Sequence, residues 1–390
     1  MTYNPIYLDG FSTMPLAPEA RAAMLSAWSA PGNAGSPHIA GERAAATIEQ
    51  ARASVARLIG AAPSEIVFTS GATEANNLAI GGIARLAVET GNKRRRIVVS
   101  AVEHKAVLEP ARALLDKGFD VVVAPVSRTG LVDLTALAAL VDDNTLLVSV
   151  MMANNETGTL QPIEDVVAIG RAVGALIHTD AAQAVGKTSV DVVDLNVDYL
   201  SISAHKFYGP VGVGALYVAA AAPTPLPIQF GGGQQGGVRP GTEPVPLLAG
   251  LGAAAQVAAG RIEEDAMHGR RLADRLRSRL AERQVSFVST TGETSVLPGS
   301  LSLVMNGVEA DDIVLALGRT VCLSTGSACA SGQILPSHVL LAMGFDHRES
   351  KSVIRIFCNR YNSDAEIDLA ASLIADALLQ ARHRTGRSHQ

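Results

Sequence analysis

Ser201-Ile202-Ser203-Ala204-His205-Lys206-Phe207-Tyr208-Gly209-Pro210 sets one lysine between a short strand-like run and a Gly/Pro turn. A lysine held there can form a Schiff base with pyridoxal phosphate, and the Ser and His beside it can reach the cofactor's phosphate. Upstream, His178-Thr179-Asp180-Ala181-Ala182-Gln183 is a second strand end, and it carries an acid. The cofactor needs such an acid on its pyridinium nitrogen to act as an electron sink. Together the two segments predict a cofactor, and through it a chemistry.

Working outward, short apolar runs alternate with helical stretches. Ile66–Thr69 leads into Ser70-Gly71-Ala72-Thr73-Glu74 and a helix to about Val88; Ile97–Ser100 precedes a helix from about Ala106 to Lys117. Val121–Val123, Leu146–Val150, Leu176–His178, Tyr199–Ser203 and Gly214–Val218 continue the series. Uninterrupted apolar strands separated by helices indicate an α/β fold with a mainly parallel sheet covered on both faces. A Gly-rich loop, Gln229 to Thr242, comes next. A long helical region then runs from about Pro246 to Arg283, with a break expected near Gly260. Short strands at Ser300–Val304 and Val353–Phe357 with helices between them indicate a second, smaller α+β domain from about residue 258. The residues from Ala381 to Gln390 are polar and are expected to fray.

The chain's 390 residues suffice for two packed domains, and 48% hydrophobic with 18% charged residues fits a well-buried enzyme. A net charge of −5 argues against a nucleic-acid-binding surface. The one dense basic block, Lys93-Arg94-Arg95-Arg96, stands before the apolar Ile97–Val99 and reads as a solvated strand entrance. Three cysteines are too few for a disulfide framework, and Met1–Pro5 lacks the features of a signal peptide. No apolar run approaches the length of a membrane span. A reducing, cytoplasmic location is the expectation.

The remaining candidates also follow strands, and parallel sheets place ligands at the carboxyl ends of their strands. At Ser70–Glu74 a strand becomes a helix, whose free N–H groups, small residues and Thr73 hydroxyl suit a phosphate; a plain N-cap is the structural alternative. His104 is placed to lie over a flat ring or to move protons. An Asn in Met152–Gly158 can bond a ring oxygen or a substrate carboxylate, although Asn and Gly also simply make turns. Cys329, in Ser324-Thr325-Gly326-Ser327-Ala328-Cys329-Ala330-Ser331-Gly332, is surrounded by tiny residues and suits an exposed nucleophile. Cys322 and Cys358 read as core thiols. Arg355 and Arg360 flank or lie in the last strand, and an Arg binds a carboxylate through a bidentate fork. Arg360, beyond the strand end, is expected to be the better placed.

These motifs, from Tyr7-Leu8-Asp9 through Glu65–Glu74, Glu103–Val107, Asn154-Asn155-Glu156, His178–Asp180 and Ser203–Lys206 to Gly326–Cys329, resemble those of the NifS/IscS-type cysteine desulfurases in the class V aminotransferases. The resemblance covers almost the whole chain. It implies a homodimer of pyridoxal-phosphate fold type I, with a seven-stranded large domain over residues 15–257 and a small domain from residues 1–14 and 258–390 that carries the cysteine loop. Lys206 would hold the cofactor and move the Cα proton. His104 would stack on the ring, Asp180 would meet the pyridinium nitrogen, and Gln183 the ring hydroxyl. Ala72, Thr73, Ser203 and His205 would hold the phosphate, with Thr242 reaching in from the partner subunit. Asn155 would contact cofactor and substrate, and with Arg360 bind the substrate carboxylate. Cys329 would take the sulfur of L-cysteine as a persulfide, leaving alanine, for a scaffold or a tRNA- or DNA-thiolation enzyme. No resident metal is implied, although Cys329 is able to ligate an iron–sulfur cluster transiently.

Three positions depart from the family's usual residues: Gly10-Phe11-Ser12-Thr13-Met14, Pro240 after Arg239, and Asn359 before Arg360. Two other readings stay open: a selenocysteine or other C–S lyase, and a catalytically silent partner-binding relative.

Overall fold

Strands apolar at every position can be buried on both faces, and helices must then cover the sheet. The computed structural model describes residues 5–326 and 336–387. In chain order its strands are β1 (Ile6–Tyr7), β2 (Ile66–Thr69), β3 (Arg96–Ser100), β4 (Asp120–Ala124), β5 (Thr145–Ser149), β6 (Leu176–Asp180), β7 (Tyr199–Ser203), β8 (Gly214–Val218), β9 (Phe287–Ser289), β10 (Ser300–Met305), β11 (Val321–Cys322), β12 (Ser324–Thr325) and β13 (Val353–Phe357). The α-helices are α1 (Pro18–Trp28), α2 (Ile39–Leu58), α3 (Ala72–Glu89), α4 (Lys105–Arg112), α5 (Leu134–Leu140), α6 (Ile163–Ala172), α7 (Val192–Leu195), α8 (Val245–Ala259), α9 (Ile262–Glu282), α10 (Ala310–Leu317), α11 (His338–Ala342), α12 (His347–Lys351) and α13 (Asp364–Arg387).

Seven strands form the main sheet in the order β2-β8-β7-β6-β5-β3-β4. β4, β3, β5, β6 and β7 run parallel, while β8 is antiparallel to both β7 and β2. All residues of β5 and β7 are buried. Side chains alternate between the two faces. Ile97, Val99, Leu147 and Tyr199 join residues of α3 and α4 in one core, and Val98, Val148, Ile177 and Leu200 join residues of α2, α5, α6 and α8 in another. The strand order reverses between β3 and β5, so the loops leaving those two strands diverge and open a crevice.

A second core gathers α9, α10 and α13 against the antiparallel sheet β12-β13-β10-β9. The N-terminal residues return to it, since β1 pairs in parallel with β11. The expected break at Gly260 is there: α8 and α9 meet at 75°. α4 stops at Arg112, short of Lys117. Pro110 lies in its last turn, and Leu115–Lys117 forms a separate 3-10 turn. The C-terminal helix runs on to Arg387 where fraying was expected from residue 381, and Ile367, Ile374, Leu378 and Ala381 pack into the second core. The basic block is used structurally. Arg94 donates to the carbonyls of Thr145, Val173 and Gly174, and Arg96 pairs with Asp120 and Asp142. Among the described residues no single helix is long and apolar enough to cross a membrane.

His178 ties three central strands together. Its Nδ1 lies 2.8 Å from Ser149 Oγ on β5, and its Nε2 3.1 Å from Ser201 Oγ on β7. Burial pushes the imidazole down to about 4 from 6.5, against the nearby charge of Asp180. The folded chain therefore declines a proton that the unfolded chain binds below pH 6.5. Stability from this source is whole above 6.5 and is lost as pH falls toward 4. We expect urea unfolding of the native chain to weaken over that window, by up to roughly 3 kcal/mol from this group. The non-titrating His178→Gln should show a shallower loss; parallel losses would remove His178 as the cause.

Candidate active site

A pocket of about 530 Å³ opens at the carboxyl edge of the main sheet. One end is a phosphate-sized cradle. β2 ends at Thr69 and α3 starts at Ala72, with Gly71 as an N-cap that has no side chain to give. The helix's first-turn N–H groups therefore face the pocket without a side-chain cap. Gly71 has φ +149°, a conformation L side chains rarely adopt. A Cβ on Gly214 would lie 2.3 Å from Ile202 O and 2.7 Å from Gly71 Cα, so β8 passes against the cradle only because residue 214 is glycine. Ala72, Thr73, Ser203 and His205 all line the same pocket. His205 Nδ1 lies 3.1 Å from Thr13 Oγ1. Burial, then the charges of Lys206 and Lys187, push it down to about 4.

The other end is built for a flat, nitrogen-bearing ring. Lys206 follows β7 and donates to the carbonyls of Phe11 (2.6 Å) and Ser12 (2.8 Å). Burial and then Arg355 push its amine down to about 8, against the pull of Asp180 and Asp9. An amine near 8 is largely neutral at slightly alkaline pH and able to attack a carbonyl carbon. Asp180 ends β6 and is buried. Its Oδ1 accepts from Ala182 N and its Oδ2 from Asn76 Nδ2 at 2.7 Å. His104 caps α4, with Nδ1 accepting from Ala106 N at 3.1 Å, which leaves the ring proton on Nε2. Burial lowers its pKa, chiefly opposed by Asp180. Gln183 and Asn155 complete the lining, and Asn155 Oδ1 is buried with no hydrogen-bond partner among the described residues. An amine, a buried carboxylate, a neutral imidazole, an unspent amide and an open helix N-terminus in one pocket are the donor set that pyridoxal phosphate asks for.

The two arginines exchange the places expected of them. Ile354 and Ile356 face the second core, so strand alternation turns Arg355 the other way, into the pocket. Its Nε donates to Ser324 Oγ, Nη1 to Asn155 O and Nη2 to Ser12 Oγ. A guanidinium has five N–H bonds, so among the described residues one remains on each of Nη1 and Nη2. Arg360 is absent from the pocket lining. It turns back to Asp265 on α9 at 2.5 Å and stacks 3.8 Å over the Tyr208 ring, and both members of the ion pair are nearly buried. The apolar run around Arg355 reads as core only if alternation is neglected.

Cys329 lies outside the described residues. Downstream of it, Ser337 caps α11 and donates to the buried Glu156 Oε2 at 2.5 Å. Thr242 is exposed on the Gly-rich loop and does not line its own chain's pocket. That loop is tied to the cradle by Arg239, which forks onto Glu74. Sequence reading missed Asn76, whose helical position gave no sign that it would meet Asp180. It also gave no role to Glu103, fully buried beside His104. Glu103 Oε1 accepts from Ser100 Oγ and Met151 N, and burial pushes its carboxyl up to about 8.

The Aminotransferase class-V family model matches residues 6–369. A curated relative from Rickettsia bellii (strain OSU 85-389), "Cysteine desulfurase IscS", is 42% identical over 384 residues, 97% of this chain and 92% of its own. A solved structure described as a NifS-like protein overlays with a TM-score of 0.89 at 36% identity, covering 96% of this chain and 100% of that one. Another, described as "SspA in complex with cysteine", overlays with a TM-score of 0.79 at 35% identity, covering 92% of this chain and 100% of that one. The chain belongs to the class V aminotransferases and, within them, to the cysteine desulfurases.

Proposed function

We propose that this chain uses pyridoxal phosphate to remove the sulfur of L-cysteine, releasing L-alanine and holding the sulfur as a persulfide on Cys329. The observation that carries this reading is one pocket in which Lys206, Asp180 and His104 converge beside the spare N–H pair of Arg355. When bound, the cofactor supplies an electron sink that makes the amino acid's Cα proton acidic and its Cβ–S bond breakable. The residues do the rest. Ala72, Thr73, Ser203 and His205 receive the phosphate at the α3 N-terminus. Asp180, held by Asn76 and Ala182, would meet the ring nitrogen. The neutral imidazole of His104 would lie on the ring, and Gln183 would meet the ring oxygen. Arg355, not Arg360, takes the substrate carboxylate with its remaining fork, and Asn155 joins it. Lys206 moves the proton at Cα.

The Cys329 thiolate then forms an S–S bond with the substrate's sulfur as the Cβ–S bond breaks. Each sulfur is oxidised by one unit, Cβ is reduced and gains a proton, and alanine leaves. No external reductant or oxidant is needed until an acceptor draws the outer sulfur, for iron–sulfur cluster assembly or for thiolation of tRNA or DNA. We place the protein in the cytoplasm as a homodimer, each Thr242 serving the partner's phosphate cradle. The exposure of Thr242, Trp28 and Phe230 supports that association.

Alanine release from L-cysteine under reducing conditions tests the reaction. The native, cofactor-loaded protein should release alanine, and Cys329→Ala should not while keeping its bound cofactor. Equal release from both would dismiss Cys329 as the relay, and pyruvate with ammonia in place of alanine would point to a lyase.

The arginine assignment has its own test. Arg355→Ala should raise KM for L-cysteine about 100-fold, the loss of roughly 3 kcal/mol of charge-assisted hydrogen bonding. Arg360→Ala should instead lose up to about 3–5 kcal/mol of stability, because it leaves the nearly buried Asp265 with only Arg261, 3.5 Å away, as a charge partner. An unchanged KM in Arg355→Ala would return the carboxylate to another partner.

A further inference from the structure

Lys187 is a buried amine beside the pocket that the chemistry above leaves unused. It lies four residues past Gln183, and its Nζ donates to Gln183 Oε1 at 2.6 Å. Its ammonium sits 4.9 Å from the centre of the Phe357 ring, and that ring meets Phe11 edge-on at 5.1 Å. On the other side of the amide, Gln183 Nε2 donates to Phe11 O at 2.9 Å, the same carbonyl that accepts from Lys206.

The consequence follows from what each neighbour can do. A carboxamide is nearly symmetric in shape and can turn end for end, exchanging an acceptor for a donor. Lys187 Nζ donates to this amide, and the atom that faces it is the oxygen. Phe11 O only accepts, so the atom facing it must be the nitrogen. One hydrogen on Nε2 is spent on Phe11 and the second remains, on a residue that lines the pocket. Because Gln183 and Lys206 share the Phe11 carbonyl, that N–H stands beside the lysine nitrogen. A ring oxygen of pyridoxal phosphate, next to the carbon that Lys206 would bond, would be met there.

We propose that Lys187 is a positioning residue: together with the Phe11 carbonyl it holds the Gln183 amide in one orientation, so that an N–H and not a C=O would meet the ring oxygen of the bound cofactor. The inference rests on the cofactor reading given above. Lys206 and His205 are the titratable neighbours coupled to Lys187, and burial lowers its pKa well below the usual lysine value. Its hydrogen bond is therefore expected to outweigh its charge.

The test is a pH titration of the visible absorption band in protein loaded with pyridoxal phosphate, comparing the native chain, Lys187→Met, Gln183→Ala and the double variant. Losing a donor to the ring oxygen makes the chromophore more basic. Lys187→Met should therefore raise its pKa by about one unit, a tenfold change in proton affinity. In the Gln183→Ala background the same change should add nothing, because the two residues act as one. An unshifted pKa in Lys187→Met would overturn the proposal. An equal shift in both backgrounds would overturn it too, by showing that Lys187 acts through its charge. A melting temperature lowered without a pKa shift would reduce Lys187 to a packing role. A native protein that takes up no cofactor and shows no visible band would instead sink the cofactor reading itself.

Discussion

A primary amine taken out of water must be given oxygens, and Lys206 receives two from the backbone of Phe11 and Ser12. Much of the molecule's design follows from that need. The carbonyls belong to the N-terminal segment, which is anchored to the second core through the β1–β11 pair and then crosses to the main sheet's carboxyl edge. Met14 N donates to His205 O, and Ala17 N to Tyr208 O, so the crossing segment is bonded to the lysine turn on both sides. The site is thus assembled where the two cores meet.

Burial does the electrostatic work around that meeting place. Lys206 and His205 lose basicity chiefly through burial, while Glu103 and Glu156 gain it by the same cause. Burial thus keeps the Glu103 carboxyl protonated and the His205 imidazole uncharged at neutral pH, and brings the Lys206 amine toward neutrality on the alkaline side. Asp180 sits close by with two hydrogen bonds to its oxygens, from Asn76 and Ala182. A cationic ring nitrogen placed there would find a carboxyl group already held in place for it, at no further cost in ordering.

The sheet was legible because its strands are unbroken apolar runs, and the site residues because each stands just after one. Lys206, Asp180, His104, Asn155 and Thr73 announce themselves by type and place. What escaped depends on contacts across long stretches of chain. Asn76 lies 104 residues from the Asp180 it holds. Arg355 sat within an apolar run and was ranked behind Arg360, although β13 has one face on the second core and the other on the pocket. Arg360 stood outside the strand and looked free, yet its guanidinium is committed to Asp265 and Tyr208. Lys187 gave no signal, because an interior lysine shows its purpose only once its acceptor is known.

Tyr208 carries a further consequence. It stands two residues after Lys206 with φ +67°, a backbone state that costs a bulky residue about 1–3 kcal/mol. Its ring is flanked by Arg360 and Tyr361, and its hydroxyl accepts from Arg360 N. Both flanking residues follow β13, and the Asp265 that fixes Arg360 begins α9. The strained turn is thus riveted by the smaller unit. Swinging the two units apart would strip Tyr208 of the Arg360 stack and of the Arg360 N–H bond, and release the turn that aims the lysine. This architecture favours a rigid body at the hinge line, with the pocket's traffic left to the loops around its mouth.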